Sequence, residues 1–251
     1  MLSSNISLIV LFAVLGLVFG SFGTVIISRV PAGRHLGGRS RCPRCTHVLG
    51  AVELVPLFSY LLLRGRCRHC SRSISVFYPL LELASALLFV LAFFIGSTPL
   101  PSLLLAFSLW LLLLIAVIDA RTQTIHDALN VSFLLFSVAY VVVLGRLHMA
   151  GPLLFIFFFG VQWLLSRGRW VGSGDILLGA GIGFLLGGWE KALLCLGLAY
   201  MLGAAAAIFL LATKRATRKS RIPFGPFLAI ATLLMVVAGN EMLRMLVPGL
   251  L

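Results

Sequence analysis

Residues 102–119 read SLLLAFSLWLLLLIAVID, an apolar run of bilayer-spanning length that ends on a carboxylate, Asp119. A second run, GSGDILLGAGIGFLLGG over 172–188, opens on another, Asp175. Only seven of the 251 residues are acidic, so both positions stand out. An Asp at the centre of a helix in hydrocarbon costs about 2.5 to 3.5 kcal/mol, and acids at the edge of such runs point to function. The runs themselves set the fold class. Hydrophobic residues make up 61% of the chain and mean hydropathy is +1.11. A soluble domain of this length cannot bury that much apolar surface in its own core. The sequence predicts an all-α polytopic membrane protein.

Working outward, eight stretches are long enough to span: 6–27, 77–96, 102–118, 129–145, 150–165, 175–189, 192–212 and 224–243. The fifth and sixth are short, and the glycines of the sixth permit close helix approach and a break. The first run has no basic segment before it and no small-residue cleavage site after it, so it reads as a retained helix. Alternate connections (28–76, 119–128, 166–174 and 213–223) hold 17 of the 20 Lys and Arg residues. The opposite side keeps Arg146, Lys191 and Arg244. By the positive-inside rule the first set is cytoplasmic and both termini lie outside. The net charge of +13 is therefore topogenic and faces lipid, and a nucleic-acid partner is excluded. The expected organisation is a first transmembrane helix (1–27), a cytoplasmic loop domain (28–76) and a second transmembrane part (77–251). No low-complexity tract or internal repeat is evident.

The loop domain contains Cys42-Pro-Arg-Cys45 and Cys67-Arg-His-Cys70. Two C-x2-C turns bring four thiolates within tetrahedral reach of Zn²⁺. Their 21-residue separation slightly exceeds the usual spacing, so the linker is expected to carry its own turn or short helix. Nearby arginines favour thiolate and offset the charge of a Zn(Cys)4 centre. Two disulfides are the other reading, which a reducing cytoplasm disfavours. Four protein ligands leave no open position, so the predicted role is structural. Cys195 reads as a small core residue.

Two spans separate Asp119 from Asp175, which puts both on one face of the membrane. Two carboxyls sharing a site hold one proton between them. The ionised member can take a proton from water while the other polarises a scissile carbonyl and protonates the leaving amine. Gly172 and Gly174 would let an extended substrate approach. Structural readings stand beside this one. Asp175 suits a helix N-terminus, and Asp119 can pair with Arg121. Asp127 reads as a loop residue or helix-start cap. Glu82, inside the second span, reads as a buried partner of a loop arginine or a third member of the polar site. His35, His47 and His69 read as solvated, and His126 as interfacial near Asp119.

The motifs resemble the type IV prepilin peptidases, also called leader peptidase/N-methyltransferases. GSFGTVIISRVP (20–31), RCPRC (41–45), ELVPLFSYLLLRGRCRHC (53–70), ISVFYPLLE (74–82), IDARTQTIHD (118–127), GSGD (172–175) and IPFGPFLAI (222–230) occur in the family's order. The resemblance implies an intramembrane aspartyl protease of the prokaryotic cytoplasmic membrane. It would cut basic leaders from type IV prepilin or pseudopilin precursors, with Asp119 and Asp175 as the catalytic pair. It also implies methylation of the new N-terminus with S-adenosylmethionine, in the region holding the cysteines. Thr24 replaces the usual Asn of G-S-F-x-N, which bears on methyl transfer, and His126 replaces a Pro. No glycine-rich nucleotide fingerprint marks a methyl-donor pocket. Two other classes fit intramembrane acids or the cysteines: a proton- or cation-coupled transporter, and a non-catalytic assembly factor stabilised by zinc.

Overall fold

The computed structural model describes residues 2–96, 98–217 and 220–246. Arg218 and Lys219 of the last basic connection, and the chain beyond Leu246, lie outside the described residues. The chain is helical: α1 (Leu2–Arg29), α2 (Phe58–Leu62), α3 (Phe77–Ile95), α4 (Pro99–Thr122), α5 (Asp127–Val143), α6 (Ala150–Ser166), α7 (Ser173–Leu186), α8 (Trp189–Ala212) and α9 (Gly225–Leu246). Among the described residues the only β pairing is two isolated antiparallel bridges. Eight long helices coincide with the eight apolar runs. Five of them (α1, α3, α4, α8 and α9) are long and apolar enough to cross a bilayer, while α5, α6 and α7 are shorter apolar helices. By internal contacts the chain divides into two units, residues 1–106 and 107–251.

The first unit is built on α1 and α3. Small residues let the two backbones approach: a Cβ on Gly16 would lie 2.5 Å from the Ala86 Cα, and one on Gly20 2.6 Å from the Glu82 Cα. Close backbone packing of this kind is what holds helices together where lipid is as apolar as Leu. Phe12 on Phe93 and Phe19 on Phe89 fill the seam on either side. The connection from α1 to α3 is irregular apart from a 3₁₀ turn, Ala51–Leu54, and α2. These supply the turn and short helix that the cysteine spacing required.

In the second unit α7 is enclosed. Residues 178–183 and Leu185 and Leu186 are buried, against α5, α6, α8 and α9. Its glycines are the reason. Gly179 receives Phe155 and Phe159, Gly181 receives Phe133, and Gly183 lies against Gly151 and Pro152 of α6. The 14 residues of α7 rise about 21 Å, less than the ~30 Å of hydrocarbon. The glycine run does not break the helix. The chain turns only at Gly187, whose φ of +82° suits a residue without Cβ.

Candidate functional site

Asp119 sits one turn before the end of α4 and Asp175 in the first turn of α7. The α5–α6 pair returns the chain, so the two acids occupy the same end of the second unit. Hydrogen bonds between distant segments fix that end. Asp119 Oδ2 accepts the backbone N–H of Gly225, the first residue of α9, at 2.8 Å. Gln123 Nε2 donates to the Arg221 carbonyl at 3.0 Å, one turn further on. Asn130 Nδ2, in α5, donates to the Gly174 carbonyl at 2.7 Å. Asp175 Oδ2 accepts the N–H of Gly172, which caps α7, at 3.0 Å.

Each carboxylate thus meets a helix N-terminus, where free N–H groups and the helix dipole favour negative charge. Both are anchored through Oδ2, and neither Oδ1 accepts a hydrogen bond among the described residues. Asp119 is 6% exposed and Asp175 is half-buried. Carboxyls held at one end of a unit can exchange protons with a bound group or water.

The capping reading of Asp175 is therefore also realised: it is the third helical residue and closes a bond to the cap amide. Of the two glycines, Gly174 packs closely inside the fold, while Gly172 has only ordinary contacts. A Cβ on Gly174 would meet Ile125 at 3.1 Å, so that glycine makes room for the chain's own loop and not for an open approach. Asp127 begins α5, with His126 as its cap residue. Nε2 of His126 is buried without a partner among the described residues. Among the described residues Glu82 makes no ion pair with an arginine. It is 8% exposed and its Oε2 accepts the Leu57 amide at 2.8 Å, within the first unit.

Two contributors to the aspartate site went unread in the sequence. Gly225 donates to Asp119 and leaves no space for a side chain, since a Cβ there would lie 2.7 Å from Oδ2. The Pro-Phe-Gly-Pro run (223–226) marks an unusual helix start and was the available signal. Asn130 is fully buried, and a lone amide in an apolar run is a comparable flag.

In the first unit, the Sγ atoms of Cys42, Cys45, Cys67 and Cys70 lie within 4.8 Å of one another. Cys42 and Cys70 are 3.9 Å apart, close to the ~3.8 Å edge of a tetrahedron with 2.3 Å Zn–S bonds. All four cysteines are free, and that separation is far beyond an S–S bond of about 2.05 Å. The fit to a tetrahedral metal is good. The two C-x2-C turns share one construction. In the first, Cys42 N donates to the His47 carbonyl and Thr46 N to the Cys42 carbonyl. In the second, Cys67 N donates to Arg72 and Ser71 N to Cys67. Thr46 and Ser71 both turn back at positive φ, +59° and +55°. The backbone N–H groups of Cys45 and Arg44 bring the Cys42 thiol down to about 6. At Cys45 the His47 amide favours thiolate, but burial and the neighbouring thiols outweigh it and carry the group up to about 11. His47 and His69 lie ring against ring, 3.4 Å between centroids. Cys195 is a core residue, as expected, with Sγ 3.6 Å from Thr232 Oγ1.

Comparison with known proteins places names beside this geometry. The profile of the bacterial peptidase A24 N-terminal domain matches residues 14–95. That of the type IV leader peptidase family matches residues 106–208. Three similar proteins are each called prepilin leader peptidase/N-methyltransferase. The one from Pseudomonas putida is 34% identical over 93% of this chain and 91% of its own. The one from Stutzerimonas stutzeri is 34% identical over 96% and 94%. The one from Aeromonas salmonicida (strain A449) is 33% identical over 82% and 73%. No solved structure matches.

Proposed function

The chain belongs to the type IV leader peptidase family, and from that premise we propose that it cleaves basic leaders from type IV prepilin or pseudopilin precursors with Asp119 and Asp175. The observation that carries this reading is the shared end of the second unit, where both carboxylates are tied down through Oδ2 with Oδ1 left over. One carboxylate takes a proton from water as that water attacks the scissile carbonyl. The other, protonated, polarises the carbonyl and then gives its proton to the leaving amine. The Gly225 and Gly172 amides keep the carboxylates oriented through both steps, which limits the motion needed at the moment of reaction.

The division into helix 1–27, loop domain 28–76 and peptidase part 77–251 belongs to the same proposal. So does the orientation, with both termini outside and the loop domain and aspartates at the cytoplasmic face of the inner membrane, on the strength of the Lys and Arg distribution. Cys42, Cys45, Cys67 and Cys70 would hold Zn²⁺, which supplies a rigid cross-link and no open coordination position. N-methylation of the new N-terminus, with S-adenosylmethionine as donor, is part of the same proposal, because the relatives are called N-methyltransferases. The loop domain does not present an evident seat for the cationic methyl donor. Glu53, its one carboxylate, already accepts the Gly50 amide at 2.8 Å.

The test is co-expression with a prepilin, followed by mass analysis of the pilin N-terminus. Asp119→Asn and Asp175→Asn should each leave the leader attached while the protein still accumulates in the membrane. Normal cleavage by either variant rejects the assignment.

A further inference from the structure

Outside the long helices, exposed apolar side chains concentrate in one stretch of the loop domain. Val52, Phe58, Leu61 and Leu62 are 65%, 56%, 73% and 61% exposed, and Leu54 and Val55 are exposed beside them. Their depth is fixed by one buried carboxylate. The Leu57 amide donates to Glu82 Oε2 at 2.8 Å, and a Cβ on Gly20 of α1 would lie 2.6 Å from the Glu82 Cα. Glu82 lies five residues inside α3, and Gly20 nine residues inside the end of α1. At 1.5 Å per residue that is about 7 to 13 Å from the helix ends.

Both helices are of bilayer-spanning length and hydropathy. Leu57 is therefore level with their apolar bodies, where a backbone N–H needs an internal acceptor because water is scarce. Glu82 is that acceptor. The lipid-facing stripe of α3, Leu80, Leu83 and Leu87, begins at the same level. Charge points the same way. Residues 28–76 hold nine arginines and a single acid, Glu53. Arg39, Arg41, Arg44, Arg64, Arg66, Arg68 and Arg72 are exposed. Among the described residues the only ion pair is Arg244–Glu241, so none of these seven is paired.

We propose that residues 52–62 are an interfacial anchor, bedding their apolar side chains in the acyl boundary of the adjoining leaflet while the flanking arginines hold anionic headgroups. Phe58, Leu61 and Leu62 supply the buried area, and Arg64 and Arg66, which follow α2 directly, supply the headgroup contacts. Apolar burial and attraction to anionic lipid are the two terms that set such binding. The anchor holds the metal turns against the membrane surface whether or not the aspartates cleave peptide.

The experiment uses the full chain in vesicles of phosphatidylethanolamine with or without phosphatidylglycerol. Leu61→p-benzoylphenylalanine is illuminated and its adducts are identified by mass. Because Leu61 is so exposed, the substitution leaves the fold intact, and size-exclusion behaviour checks this. Lipid adducts are expected, enriched in phosphatidylglycerol over its share of the bilayer. Arg64→Gln should lower that enrichment about fivefold, the equivalent of ~1 kcal/mol per basic side chain at the surface. A water-quenched probe, or adducts to a second copy of the chain or to added prepilin in place of lipid, overturns the anchor. Equal labelling of both headgroups overturns the role of the arginines.

Discussion

Asp119 Oδ2 and the Gly225 amide meet at 2.8 Å across 106 residues of chain. The bond joins the end of α4 to the start of α9 and uses the space that a side chain at position 225 would fill. Gly225→Ala should therefore push the Asp119 carboxyl aside without removing it. The expected result is a 10- to 100-fold fall in cleavage rate, given the sensitivity of catalysis to displacements of about 1 Å. Substrate binding should be unchanged. The measurement is single-turnover cleavage of a purified prepilin. A full-rate Gly225→Ala enzyme would mean that the contact does not orient Asp119.

Asn130 acts on the second acid at one remove. Its amide holds the Gly174 carbonyl at 2.7 Å, next to Asp175. Asn130→Leu leaves that carbonyl without its donor, which costs about 1–3 kcal/mol if it stays buried. Lower kcat with little change in KM is expected. Asn130→Gln, which keeps the donor on a longer arm, should recover part of the loss.

Packing around α7 gives a paired prediction on stability alone. Gly183→Ala drives a methyl into Pro152 and Gly151, and overpacking of this kind costs about 1–3 kcal/mol. Gly160→Ala and Gly197→Ala meet nothing within 4 Å. They should leave stability unchanged or raise it by up to ~1 kcal/mol through helix propensity. Thermal unfolding in detergent distinguishes the two classes.

At the cysteine cluster the direction of pH dependence follows from the thiols. Metal binding needs thiolates, so acid releases the metal and base does not. In metal-free protein Cys42, brought down to about 6, is already thiolate at pH 7, whereas Cys45, carried up to about 11, is protonated. Alkylation should modify Cys42 before Cys45, with a rate at Cys42 that falls as pH drops through about 6. Metal analysis of the untreated chain should find about one zinc, lost on Cys42→Ser or on chelation.

The sequence made the eight apolar helices legible because hydropathy over about 20 residues is a strong signal. It made the cysteine cluster legible because C-x2-C turns repeat a local geometry. The partners of the acids were not legible. Asp119–Gly225 and Asn130–Gly174 join helices far apart in sequence, and nothing in the local spacing selects them. Glu82 shows the same limit: an arginine-rich loop made an ion pair the natural expectation, yet a backbone amide of Leu57 fills that place. That Gly174 packs against Ile125 was not legible either, because Ile125 lies in another loop.

The central claim is that Asp119 and Asp175 are halves of one device. The most direct measurement is the cleavage rate of wild type, Asp119→Asn, Asp175→Asn and the double variant on one prepilin in one lipid preparation. Each single change should cost about 10²–10⁴-fold, the usual worth of a positioned acid or base. The double should be no worse than the singles, since residues acting as a unit are non-additive. Losses that multiply in the double variant, or a single variant that cleaves at the wild-type rate, would contradict the account.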